Sequence, residues 1–170
     1  MNKWVPTIAA LVGALLLQVA VAPHLAIGGV VPNVFILVVL TLALLEGPNA
    51  GAASGFAAGL LFDLLGTGPV GAAALVLAVT GYIAGSLSEH MFAEGWLMPV
   101  TVVFIAGLSA EVAYALVLAV LGAGNPFWTS LVTVILPAAV YNGALALLLY
   151  PWLARFLRKD RPMPTFGRIG

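Results

Sequence analysis

Two acidic residues, Asp63 and Glu111, stand inside long apolar runs, and their type and placement point most directly to chemistry. A charge at the centre of a bilayer costs about 2.5–3.5 kcal/mol on insertion scales, so an acid there needs a partner, water or a task. No lysine or arginine occurs within the apolar runs, so neither carboxyl has a cationic mate at its own depth. Asp63 lies near the end of its run, where hydrogen bonding to the glycine-rich turn that follows competes with a role in an ion path. Glu111 lies deeper. Ser109, Tyr114, Tyr141 and Asn142 are the groups able to satisfy a neutral carboxyl in a bundle core, and both a structural and a functional role stay open for it. Asp63, Glu111, Tyr114, Tyr141 and Asn142 are therefore the expected buried polar residues.

Other arrangements that could do chemistry are incomplete. His24 and His90 fall in separate connections on opposite faces and cannot share a metal. His90 with Glu89 and Glu94 offers one imidazole and two loop carboxylates, more in keeping with a solvated loop than with a zinc site. Gly107-Leu108-Ser109 has the outline of a nucleophilic serine in a membrane protease, but that chemistry needs a histidine base from another span, and no span contains one. Gly66-Thr67-Gly68-Pro69-Val70-Gly71 fits G-x-G-x-x-G without the strand and βαβ unit that dinucleotide binding requires. The absence of cysteine removes disulfides, thiolate catalysis and cysteine-ligated metals. No catalytic residue, cofactor site or metal site is expected, and the chain reads as a non-enzyme.

The elements that must position these residues are set by composition. Hydrophobic residues make up 63% of the chain and charged residues 7%, with a mean hydropathy of +1.17; soluble domains carry about 25% charged residues. This is the make-up of an integral membrane protein. The formal net charge of zero hides an uneven layout: Lys3 is the only basic residue before Arg155, which is followed by Arg158, Lys159, Arg161 and Arg168. Basic flanks mark the cytoplasmic side, so both termini are expected there, with an even number of spans between them. Beside a transmembrane segment, orientation and lipid headgroups account for the basic tail without nucleic acid.

Taken in order, Trp4 to Ala22 is about one span long. Lys3, the apolar core and Ala20-Val21-Ala22 resemble a signal peptide, but Pro23 directly after the small residues argues for a retained helix, with Thr7 and Gln18 turned inward. A second span opens at Val31-Pro32-Asn33, with proline in the first helical turn, runs to Leu45 and stops at Glu46-Gly47-Pro48-Asn49. The third ends near Leu65, and the fourth runs from Ala72 to Leu87. A polar inner loop follows from Ser88 to Gly95, then a fifth span from Trp96 to Leu121. The sixth begins near Trp128 and contains Pro137, which is expected to kink it by freeing the carbonyl of Thr133. Tyr150-Pro151-Trp152 marks its interfacial end. The expected fold is an all-α membrane protein: a six-transmembrane-helix bundle over 1–157, followed by a basic, loosely ordered cytoplasmic tail over 158–170.

Gly47, Gly51, Gly55 and Gly59 recur every fourth residue, and the next step is Asp63. On a helix this spacing forms one slightly inclined stripe. In water each glycine weakens a helix by about 1 kcal/mol relative to alanine. In a bilayer a side-chain-free stripe becomes a device for close helix approach. Gly81 and Gly85 repeat the theme, so the third and fourth spans are expected to pack closely; docking of a partner helix is the competing use of the groove.

The stretch from Pro32-Asn33 through an apolar run to Leu44-Leu45-Glu46-Gly47-Pro48, then Gly51, Gly55-Phe56, Gly59-Leu60-Leu61, Asp63-Leu64-Leu65 and Gly68-Pro69-Val70-Gly71, resembles the rod shape-determining protein MreD family. Tyr141-Asn142, Tyr150-Pro151 and the basic end resemble that family's last span. The resemblance implies a multi-pass protein of the bacterial inner (cytoplasmic) membrane. Its implied role is that of a non-catalytic scaffold in the cell-elongation complex, binding MreC, a single-span protein with a periplasmic domain. Through MreC it implies contact with the MreB cytoskeleton, RodA and the class B penicillin-binding transpeptidase, and so a part in controlling peptidoglycan synthesis and cell shape. It also implies a fold similar to the S components of energy-coupling-factor transporters. That likeness carries the alternative reading, a small-molecule or ion binding subunit with a cavity lined by Glu111, Tyr114 and Asn142.

Overall fold

The computed structural model describes residues 5–90, 97–123 and 126–157. Their regular structure is helical: α1 (Val5–Ala20), a 3-10 turn over Ala22–Leu25, α2 (Val34–Glu46), α3 (Pro48–Leu65), α4 (Ala72–His90), α5 (Leu97–Val120), α6 (Phe127–Ser130), a π segment over Leu131–Ile135, and α7 (Leu136–Leu157). Two stretches are long and apolar enough to cross a membrane, Pro99–Val120 and the continuous Phe127–Leu157; Val5–Ala20, Val34–Glu46 and Ala72–Ser88 are apolar but shorter. Large apolar side chains such as Ile8, Leu16, Leu75, Ile83, Leu148 and Trp152 lie exposed around the bundle. Apolar surface on this scale suits lipid rather than water.

The bundle is built around α2. Val34 to Ala43 are all buried, and α1, α3, α4, α5 and α7 pack around them. A helix apolar on every side belongs in a core, and this one has no polar face to leave outside. The proline expected inside its first turn instead lies just before it. Asn33 is the N-cap, its side chain accepting from the Ile36 N–H at 3.3 Å, which satisfies one of the amide donors that open the helix. The joint to α3 is equally tight: Gly47 sits at φ +91°, a conformation glycine adopts without steric cost, and Pro48 begins α3, where a missing N–H is harmless.

Two other expectations are revised. The polar segment expected as a loop from Ser88 starts as helix: α4 continues to His90. The Ser88 hydroxyl donates to the Gly85 carbonyl at 2.7 Å, absorbing its own polarity within the helix. Glu94 and Gly95 lie outside the described residues, as do Lys3, Arg158, Lys159, Arg161, Arg168 and the whole expected tail. Near Pro137 the helix widens into π turns over Leu131–Ile135, with the Leu136 N–H donating to the Leu131 carbonyl. An inserted residue of this kind is one way to carry a chain past the clash a proline ring makes with the preceding turn.

Candidate functional site at the loop end of the bundle

The α3–α4 contact sets the geometry at this end. A methyl group built on Gly51 would run into the Gly81 carbonyl, one on Gly55 into the Leu77 carbonyl, and one on Gly59 into the Ala73 carbonyl. From the other helix, Gly81 faces the Gly51 backbone, and Gly85 lies against Gly47 and Pro48. Each four-residue step up α3 therefore meets a four-residue step down α4, backbone against backbone. Gly47 takes part from the joint before α3 rather than from a helical turn. The stripe is spent inside the molecule, not offered to lipid.

The next position along that stripe is Asp63, which is buried and faces the start of α4. Its Oδ2 accepts from the Gly71 N–H at 2.8 Å and the Ala74 N–H at 3.2 Å, and its Oδ1 from the Ala73 N–H at 3.1 Å. Those amides are among the donors a helix leaves unpaired at its N-terminus, where the helix dipole also favours negative charge. Asp63 is thus a cap supplied from the neighbouring helix. Both of its oxygens accept from backbone amides, the hydrogen-bonded arrangement.

A second polar group ties residues 32–34, where the chain enters α2, to the bundle. From α1, Gln18 donates to the Pro32 carbonyl at 3.1 Å and accepts from the Val34 N–H at 2.8 Å. From α7, Asn142 accepts the Asn33 N–H at 2.9 Å and donates through Nδ2 to Glu111 Oε1 at 3.3 Å. Two amide side chains thus satisfy a short stretch of backbone on either side. Pro32-Asn33, which opens the second span in the sequence, thus supplies both the helix-start signal and a backbone donor to Asn142.

Of the four groups considered as partners for Glu111, Asn142 alone is bonded to it. Ser109 donates to the Ile105 carbonyl of its own helix at 2.8 Å. Tyr141 reaches away from Glu111 and donates to the Leu25 carbonyl at 2.6 Å, pinning α7 to the 3-10 turn. Tyr114 lies one helical turn from Glu111 and ends a file of edge-to-face rings: Phe35 to Phe62 at 6.4 Å and Phe62 to Tyr114 at 6.2 Å. Such pairs add to plain burial. Beside Glu111 and Tyr114 is a cavity of about 430 Å³, lined also by Gly29 of the α1–α2 connection and bounded by α5, Val134 and Ala138. Asn142 stands behind Glu111 rather than on the cavity wall. At the opposite end of the bundle, the Thr7 hydroxyl reaches Glu46 only at 3.4 Å, long for a bond between oxygens.

A family model described as rod shape-determining protein MreD matches residues 1–160. No curated protein and no solved structure matches the chain.

Proposed function

The chain belongs to the MreD family of rod shape-determining membrane proteins, and from that premise we propose that it acts as a non-catalytic scaffold of the cell-elongation complex. It binds MreC and through it RodA, the class B penicillin-binding transpeptidase and, indirectly, MreB. In this reading residues 1–157 form six membrane crossings in the inner membrane, ordered as in the S components of energy-coupling-factor transporters. The basic segment 158–170 stays with the N-terminus on the cytoplasmic side.

The observation that carries the reading is the family match over nearly the whole chain, and the packing refines it. The glycine faces of α3 and α4 are consumed by each other, so a partner helix docks on one of the bulky apolar faces left exposed, such as Leu75, Val79 and Ile83 on α4. Van der Waals fit between helices drives such association in lipid. Co-expression with MreC of the same organism, followed by purification through a tag on this chain, is expected to bring MreC down in a stable complex. A folded, monodisperse chain that elutes free of MreC overturns the proposal.

A further inference from the structure

We propose that the cavity beside Glu111 and Tyr114 is a binding site for a small amphiphile. Such a molecule would carry a hydrogen-bond-donating head, an ammonium or a hydroxyl, on a compact apolar body. The volume of about 430 Å³ falls within the usual range for small-molecule sites. It cannot take a partner's helix: at a diameter of about 10 Å, that volume corresponds to roughly one turn. A small ligand or a single side chain fits.

The chemistry of the head follows from the wall. Glu111 and Tyr114 are three residues apart on α5 and so share one helix face. One oxygen of Glu111 accepts from Asn142; among the described residues its second oxygen and the Tyr114 hydroxyl have no protein hydrogen bond. The amides nearby are already occupied, Gln18 with the backbone of residues 32 and 34 and Asn142 with Asn33 and Glu111. Among these four side chains, free acceptor capacity lies on one carboxyl oxygen and one phenol. Among the described residues no arginine, lysine or histidine lines the cavity, so a phosphate or carboxylate head would meet an acid with no compensating cation there, an arrangement that costs free energy in a low-dielectric site. A bare metal ion is also poorly served, because hard cations gather six or more oxygens. Asn33 and Ser130 add polar lining, while Val76, Leu118, Val134, Ile135 and Ala138 give an apolar wall that suits a hydrocarbon or ring body. Gly29, Val30 and Val31 of the α1–α2 connection also line the cavity.

Three compounds with one ring body separate the possibilities: tryptamine, tryptophol and indole-3-acetate, an amine, an alcohol and an acid. With the purified chain in lipid nanodiscs, tryptamine at up to about 10 mM should raise the unfolding temperature by about 3 °C. Tryptophol should give a smaller rise and indole-3-acetate none. Glu111→Gln should weaken the tryptamine response about tenfold in apparent affinity. Tyr114→Phe, which keeps the ring file intact, should weaken both responses and serves if the glutamine variant fails to fold. The proposal falls if neither tryptamine nor tryptophol shifts the wild-type chain, if the acid acts as well as the amine, or if a folded variant responds as wild type. None of these outcomes bears on MreC binding, so this site and the scaffold stand or fall separately.

Discussion

Asp63 is the residue whose role can be stated most sharply. Three backbone amides at the start of α4 donate to its two oxygens, and removing them leaves buried donors unpaired at about 1–3 kcal/mol for the group. Asp63→Ala should therefore destabilise the protein by about 3 kcal/mol, and Asp63→Asn, which keeps one acceptor oxygen, by less; thermal unfolding in detergent orders the two. Equal losses would mean that a single neutral acceptor oxygen cannot replace the carboxylate at all. The sequence held half of this. A carboxylate beside a glycine-rich turn points to hydrogen bonding with that turn, and Gly71 of the turn does donate, but the other two donors, Ala73 and Ala74, open the next helix and are visible only when α3 and α4 lie antiparallel. Glu111 was less legible: four neighbours competed for it on spacing alone, and the choice of Asn142 depends on how α7 is rotated against α5.

At the scale of elements, the α3–α4 pair is stiff because backbone meets backbone. Gly55→Ala places a methyl against the Leu77 carbonyl, and overpacking of this kind costs about 1–3 kcal/mol; Gly55→Leu should cost more and push the helices apart. Gly13 on α1 is the matched control. Nothing lies within 4 Å of a Cβ built there, so Gly13→Ala should raise stability by about 0.5–1 kcal/mol through helix propensity alone. The same unfolding assay reads all three, and a neutral Gly55→Ala would show that the helices can part without penalty. The four-residue spacing made this stripe readable, since a helical period in small residues has few other uses. The place of α2 was not readable. An apolar run of 13 residues with no polar face looks alike whether lipid or protein surrounds it. The cavity was hidden for a related reason: Gln18, Glu111 and Ala138, all on its wall, meet only after the whole chain has folded.

At the scale of the whole molecule, five of the six basic residues lie from Arg155 onward. The chain contains no cysteine, so single introduced cysteines report sidedness without background. Lys3→Cys and Gly167→Cys should react with a membrane-impermeant maleimide only from the cytoplasmic side. Ile27→Cys, at a position 68% exposed in the α1–α2 connection, should react only from the opposite side. Labelling of Lys3→Cys and Gly167→Cys from different sides would require an odd number of crossings and would remove the six-span reading.

The seclusion of α2 bears on biogenesis. At 13 residues it is about 20 Å long, two thirds of the hydrocarbon thickness, and the ribosome delivers it before most of the helices that enclose it exist. It leaves the exit tunnel second and reaches its final surroundings only after α7 has been made. Insertion order and assembly order therefore differ in this protein. Until the later segments arrive, α2 needs either the insertion machinery or a provisional lipid contact to hold it.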